Sequence, residues 1–468
     1  MAPTIYQKVY SDFISKIKKS TLKSGDLLPS TRELSKLYRC HRFTIMRVCQ
    51  DLVAEGWLES SLRSRYKVSA KIPVTESKKA QKAGKKKDPS QALLPIPEVD
   101  LERARYRLEF WGGQPDLRLF PKDEFRRVLS SALKRTKPDQ LNYGLTNGLE
   151  SCLKEVSEYL RKSRNLTNKD YLITNGSQEA LHLICQAFIK PGDRIAIERK
   201  GYPPAWRLFE SLGAILVPIE VDAEGLGTDD LEEKIKMHSI KLIYVTPLHQ
   251  YPTTVALSPR RRQSLIRLAE KNRIPILEDD YDHEFHYTGP PPAPLSTETD
   301  MGIYVCSFSK VLFPGARIGV LGCDPRVMKS LSYQKYILSR QTDCLSQIGL
   351  SAWIRDGGFE RHLRKMRRLY ELRYFHMLKE LEKLKEQTQI DWSPPSGGMS
   401  IWINFHRDSK KISDQAKKKG ILFQHESSMD YLNTSGTHLR IGFAGVNERE
   451  ITEGFDCLRS CITSQPRP

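Results

Sequence analysis

Ile5, Val9, Phe13 and Ile17 recur every four residues, a spacing that predicts one helix with a single apolar face. The run from Leu27 to Leu34 contains Ser30-x-x-Glu33. That is a capping box, which predicts a second helix starting at Ser30 with Leu34 and Leu37 turned inward. A break over residues 38–41 precedes a third helix with Ile45, Val48, Cys49 and Leu52 on one side. Two short helices with a tight joint form a helix-turn-helix candidate. After Glu55-Gly56-Trp57, residues 58–68 predict a two-stranded wing with Arg63 and Arg65 near its tip.

From Arg105 onward the pattern changes to apolar strands alternating with helices. Strands are predicted over residues 194–198, 216–221, 242–246, 274–278 and 303–308, with helices such as 178–189 and 259–272 between them. Buried strands in that alternation predict an α/β body with a mostly parallel sheet. A long charged helix over 359–387 and strands over 400–405 and 438–442 follow. Between the two patterns, residues 71–104 hold four prolines and Lys78, Lys79, Lys82, Lys85, Lys86 and Lys87. Such a segment predicts a flexible, self-repelling linker whose lysines can also touch nucleic acid non-specifically. The expected organisation is a head (1–70), a basic linker (71–104) and a body (105–465).

Charge sharpens the picture. The 468-residue chain carries 75 Lys/Arg against 56 Asp/Glu, a net of +19; residues 1–100 hold 20 against 10, so +10 sits at that end and +9 on the remaining 368. A basic end suggests a polyanion partner. Arg42, Thr44 and Arg47 lie largely off the apolar face of the third helix, available to phosphates or base edges. No apolar run approaches the ~18 residues of a membrane helix. The first ten residues lack a signal-peptide core, so a cytoplasmic protein is expected. The nine scattered cysteines fit no disulfide framework, and Cys457 and Cys461, four apart, lack a second ligand pair. His283 and His286 beside Asp282 and Glu284 lack the His-Glu-x-x-His spacing, so no metal is expected. Residues 260–262 and 417–419 are read as solvated basic helix faces.

The body carries the chemistry. An apolar strand runs into Ser307-Phe308-Ser309-Lys310. A lysine just past a buried strand can serve as a Schiff-base amine. Ser307, Ser309 and the later Arg317 suit a phosphate monoester. A second strand ends in Glu278-Asp279-Asp280-Tyr281, where a carboxylate can pair with a protonated pyridine nitrogen. Thr174-Asn175-Gly176-Ser177-Gln178 stands before a helix, whose start offers free amides to an anion.

Taken in order, the glycine-serine cup, acidic strand end, serine–lysine pair and arginine resemble the fold-type I aminotransferases that bind pyridoxal 5′-phosphate (PLP). The likeness extends over about 360 residues and includes Phe110-Trp111-Gly112-Gly113, Asn142-Tyr143-Gly144, Lys190-Pro191-Gly192-Asp193, Ser396-Gly397-Gly398-Met399 and Leu439-Arg440-Ile441-Gly442. The segments Leu28-Pro29-Ser30-Thr31-Arg32-Glu33-Leu34, Arg42-Phe43-Thr44 and Leu52-Val53-Ala54-Glu55-Gly56 resemble the winged helix-turn-helix of GntR-type bacterial regulators. Head and body together resemble the MocR-type regulators. Pro247-Leu248-His249-Gln250-Tyr251-Pro252-Thr253 and Glu278-Asp279-Asp280-Tyr281-Asp282-His283-Glu284-Phe285 stand nearly as that family has them. Departures are a wing reading Leu62-Arg63-Ser64-Arg65-Tyr66 without a Gly-x-Gly turn, and His41 where serine is common.

The resemblance implies that Lys310 forms the internal aldimine. It places Asp279 at the pyridine nitrogen, Tyr281 at the ring hydroxyl and Tyr202 stacked on the ring. Gly176, Ser177, Gln178, Ser307, Ser309 and Arg317 would cradle the phosphate, with Tyr143 reaching it from the neighbouring subunit of a homodimer, for which the resemblance offers a head-to-tail arrangement. Arg440 matches an arginine for an effector or substrate carboxylate. Some amino-acid-sensing members carry another arginine where this chain has Pro204; Arg207 lies nearby. Ser30, Thr31, Arg32, Arg42, Thr44, Arg47, Arg63 and Arg65 would face operator DNA. The function implied is a PLP-dependent transcriptional regulator that senses a small amine or amino acid. The alternative is an active aminotransferase with an accessory head. A third reading, DNA binding with a cofactor-free body, is opposed by Lys310, Asp279 and Arg317. The basic, capped head favours regulation over the alternative.

Overall fold

Thr4 caps the first helix, Ile5–Lys18, accepting from the Gln7 amide at 3.2 Å. Val9, Phe13 and Ile17 are buried as the spacing predicts, while Ile5 at the end of the stripe is exposed. The computed structural model describes residues 4–60, 65–70 and 106–463. The wing tip with Arg63 and the basic linker lie outside the described residues.

Ser30 caps helix Thr31–Leu37: its hydroxyl accepts from the Glu33 amide, and the Glu33 carboxylate accepts from the Ser30 amide at 2.7 Å. Leu37 departs from expectation, being 67 % exposed. It is the last residue of its helix, and the following Tyr38 fills the inward place. The Tyr38 ring packs 5.8 Å from Phe13, and its hydroxyl donates to Asp12. Helix Arg42–Ala54 buries Ile45, Val48, Cys49 and Leu52. Strands Leu58–Glu59 and Lys67–Val68 pair antiparallel as the base of the wing.

The chain divides into two compact units, Met1–Leu101 and Glu102–Pro468. The second is built on a seven-stranded sheet in the order Asp170–Thr174, Gly319–Cys323, Gly302–Ser307, Ile276–Asp280, Ile240–Val245, Arg194–Glu198, Ile215–Ile219. Only Gly319–Cys323 runs antiparallel to its neighbours. A four-stranded antiparallel sheet follows in the order Asp391–Trp392, Ser400–Asn404, His438–Gly442, Gln424–His425. The long helix Gly358–Lys385 lays Phe359, Leu363, Met366, Tyr370 and Met377 against its core.

Two expectations are corrected here. The strand expected over 274–278 occupies Ile276–Asp280, carrying three acidic residues into the sheet. Each has a buried partner, described below. Arg261 and Arg262 are not solvated. Arg261 donates to Asp222 and the Leu226 carbonyl, and Arg262 to Glu298 and the Ala293 carbonyl. Cys457 and Cys461 do share a helix face, with sulfurs 3.9 Å apart as free thiols. Among the described residues no helix is long and apolar enough to cross a membrane.

Candidate cofactor site and nucleic-acid interface

Side chains alternate across a strand, so Glu278-Asp279-Asp280 cannot all face one way. Glu278 turns to the backbone, accepting from the Leu295 and Ser296 amides at 2.9 and 3.1 Å. Asp280 takes Arg164 at 2.8 Å and the Tyr304 hydroxyl at 2.7 Å. Asp279 alone faces a cavity of about 460 Å³ above the carboxyl ends of the parallel strands. It accepts from the Tyr244 hydroxyl at 3.0 Å, and its second oxygen is buried without a partner. Burial, with the Asp280 charge behind it, pushes this carboxyl up to about 7 against the Tyr244 hydrogen bond. A buried carboxylate so placed calls for a cationic donor.

Lys310 ends the short turn Phe308–Lys310 that follows strand Gly302–Ser307. It lines the same cavity, and among the described residues its ammonium has no hydrogen bond or ion pair. Burial first, and then the nearby Arg440 cation, bring it down to about 8. At pH 7 about a tenth of such an amine is neutral, several hundred times more than for an ordinary lysine, and the neutral form is the nucleophile. Gly113 has φ +76°, and a Cβ there would sit 3.5 Å from the Lys310 nitrogen.

The cup also forms. Gly176, at φ +79°, caps helix Ser177–Phe188. Arg317 donates to the Asn175 carbonyl at 2.9 Å, and a Cβ on Gly176 would come 2.6 Å from its Nη2. The Ser307 hydroxyl donates to Ser309 Oγ at 2.9 Å. A helix start, a guanidinium and two hydroxyls thus line the same cavity, a donor set that suits an anion such as a phosphate. Gln178 turns its side chain away to donate to the Pro204 carbonyl at 3.1 Å and does not line the cavity. The residues present therefore fit PLP at both ends: an orphaned carboxylate for the ring nitrogen, and a cradle that a side chain on Gly176 would fill.

Tyr202 and Tyr281 line the cavity walls. The Tyr281 hydroxyl donates to the His249 carbonyl at 2.7 Å. Arg440 is buried, with its guanidinium 4.3 Å from the Tyr251 ring centre and its Nε unpartnered. The chain at Gly112 leaves room for it: a Cβ there would fall 1.9 Å from Nη1. Tyr143 stays out of its own chain's cavity. It is 75 % exposed, its ring 4.8 Å from the Arg340 guanidinium.

Sequence reasoning missed Tyr244 and Tyr251. The parallel pairing of Leu277 with Tyr244 sets that tyrosine on the face Asp279 uses, but such a register is invisible before the strands are paired. Tyr251 touches Tyr202 edge-on at 5.4 Å and Arg440 through its ring face. His249 is a polar contact: Nδ1 lies 2.7 Å from Asp282, and Nε2 lies 3.2 Å from His286. Gly397 packs against this pair, where a Cβ would lie 2.8 Å from the His249 Nε2.

In the head, Ser30 is spent on its cap. Arg42 donates from Nε to the Thr31 hydroxyl at 3.0 Å, which fixes its stem beside the turn. The Arg47 guanidinium lies 5.9 Å from the Tyr6 ring centre. Arg32, Arg42 and Arg47 are exposed.

A winged helix-turn-helix joined to a fold-type I transferase body with a complete lysine–aspartate–arginine site defines a class of two-part proteins. Residues 5–68 match the family of bacterial regulatory proteins, gntR family. The chain is 28 % identical over 469 residues to the probable rhizopine catabolism regulatory protein MocR of Rhizobium meliloti, covering 98 % of this chain and 94 % of that one. Its body is 30 % identical over 366 residues to aromatic-amino-acid aminotransferase 1 of Thermococcus litoralis, covering 76 % of this chain and 87 % of that one. Among solved structures, kynurenine aminotransferase of Pyrococcus horikoshii in complex with PMP matches with a TM-score of 0.72 and 30 % identity, over 77 % of this chain and 92 % of that one. The body belongs to the aminotransferases of the PLP-binding fold, and with its GntR-type head the chain shares the organisation of the MocR-type regulators and is a DNA-binding transcriptional regulator.

Proposed function

We propose that the body senses a small amine or amino acid through Schiff-base exchange at Lys310, and that this exchange changes how the heads hold operator DNA. The observation that carries the reading is the convergence of Lys310, Asp279 and Arg440 on one cavity. When bound, PLP supplies an aldehyde able to condense with a primary amine. Everything else falls to the chain. Gly176, Ser177, Ser307, Ser309, Arg317 and the Gln178 amide would hold its phosphate, and Tyr202 and Tyr281 would flank its ring. Asp279 would hold a proton at the ring nitrogen. Lys310 would supply the amine whose place an effector amine takes. Arg440, with a free Nε and a buried setting, takes the effector's carboxylate.

The reading includes a homodimer. Leu141, Tyr143 and Leu145 are exposed, as are Tyr336, Ile337 and Leu338. Arg340 joins the two groups by lying over both the Tyr143 and Tyr336 rings, at 4.8 and 5.4 Å. An apolar surface of this kind suits a second copy, which would bring Tyr143 to the partner's phosphate.

The test screens amines and amino acids for perturbation of the purified protein's visible cofactor spectrum, with and without DNA. A ligand that shifts the spectrum of the native protein, leaves Lys310→Ala unmoved and alters DNA affinity supports the reading. Spectral exchange that releases a keto acid with turnover, and leaves DNA binding unchanged, would favour the aminotransferase alternative.

A further inference from the structure

The recognition helix presents an apolar side chain to solvent at the place where base contacts are made. Phe43 is the second residue of helix Arg42–Ala54 and is 69 % exposed. The His41 ring nitrogen accepts from the Phe43 amide at 3.3 Å, so the cap fixes its backbone. At ~100° per residue, Phe43 points about 170° from the centre of the buried face formed by Ile45, Val48, Cys49 and Leu52. Arg42 and Thr44 fall about 70° and 90° to either side by the same measure. Phe43, not its neighbours, is therefore the outermost side chain of the first turn.

Its setting selects the occupant. Arg32, Lys36, Arg39, Arg42 and Arg47 are all exposed on these two helices and their joint, with Glu33 held in the cap of the first. A single large apolar group amid like charges suits a polyanion that also offers an apolar spot. Duplex DNA meets both demands in the major groove, where the only apolar group on a base edge is the thymine C5-methyl. The first residues of a recognition helix are the ones that reach base edges. We propose that Phe43 is a specificity-determining residue that packs on a thymine methyl in the major groove, so that the operator carries a thymine under the start of the recognition helix.

The full-length, cofactor-loaded protein would first be used to select binding duplexes from a random library. Each thymine of the selected duplex would then be replaced singly by deoxyuridine, which removes only the methyl. Loss of one buried methyl corresponds to roughly a fourfold weakening. The expected result is that the native protein loses about that much at one thymine per recognition helix. Phe43→Ala should bind the thymine and deoxyuridine duplexes alike, and Phe43→Leu should restore part of the discrimination. Because Phe43 is exposed, thermal unfolding of both variants should match the native protein. The inference is overturned if no thymine is sensitive to its methyl, if Phe43→Ala keeps the native discrimination, or if selection enriches no sequence. The last outcome would also count against sequence-specific binding, whereas the first two leave it standing.

Discussion

Replacing Asp279 with asparagine should move the free and cofactor-loaded proteins in opposite directions. Asp279 is buried, has one unpartnered oxygen and is raised from 3.8 to about 7. That difference corresponds to at most about 4 kcal/mol of destabilisation carried by the ionised carboxylate in the cofactor-free protein. The sign follows from the raised value. Below the ordinary carboxyl pKa the group is protonated in both folded and unfolded chains, and nothing is lost. Between 3.8 and about 7 the unfolded chain ionises first, so stability falls as pH rises, and above that window the loss is complete. Asparagine keeps an oxygen to accept from Tyr244 and carries no charge. The cofactor-free variant should therefore unfold several degrees higher than the native protein at pH 8, with little difference at pH 4. The loaded protein should show the reverse, because the variant offers no anion to a protonated ring nitrogen. Differential scanning calorimetry at both pH values, with and without PLP, measures all four cases. A variant less stable than the native protein in both states at pH 8 would refute the reasoning, and would make Asp279 a structural partner of Tyr244.

Other perturbations follow from the same geometry. Gly176→Ala should cost about 1–3 kcal/mol in backbone strain and displace Arg317 from the Asn175 carbonyl; equilibrium binding should weaken for PLP far more than for pyridoxal, which lacks the phosphate. With Lys310 brought down to about 8, the rate of PLP attachment to the cofactor-free protein should rise roughly eightfold from pH 6.5 to 7.5 and level off above about pH 8.5; stopped-flow absorbance still climbing through pH 10 would contradict that value. Glu179→Gln should destabilise the body by about 3–5 kcal/mol in urea titrations, because Lys335 is fully buried with its ammonium 2.7 Å from Glu179. Arg42→Ala should cost ~1–3 kcal/mol and relax specificity at one base pair, whereas Arg65→Ala should weaken all sequences alike and reduce the salt slope by about one.

Much of this site can be read before folding because its parts lie at element ends, where local patterns are strong. The strand Arg194–Glu198, the helix Pro259–Asn272 and the strand His438–Gly442 stand where periodicity sets them. The capping box at Ser30 and the serine–lysine turn also depend on neighbours in the chain. What escaped depends on partners far away. Gly319–Cys323 carries two glycines and reads weakly as a strand, yet it fits because its backbone passes close to the cup: a Cβ on Gly319 would lie 2.8 Å from the Ser177 nitrogen. That the strand runs on to Asp280 escaped because nothing local announces Arg164 or the Leu295 and Ser296 amides. Leu37 followed the helical period but lost its place to Tyr38, whose hydroxyl finds Asp12 in another helix. Tyr244 needed a strand register, and the burial of Arg261 and Arg262 needed Asp222 and Glu298.

The acidic strand also bears on how this site can change over generations. Three consecutive acids differ in role only through which side of the sheet each occupies. Loss or gain of a single residue in the turn at Arg273 would exchange Asp279 for a neighbour of the same charge. A gain would put Glu278 in the cavity, Asp279 opposite Arg164 and Leu277 opposite the Leu295 and Ser296 amides; a loss would put Asp280 in the cavity and Tyr281 opposite Arg164. Composition would hardly register the event, and a search for acidic residues would still succeed. Mutational drift in this stretch is thus constrained by length before identity: point substitutions can be sampled one at a time, but a frame-preserving insertion just upstream rewires the cavity and the back of the sheet together.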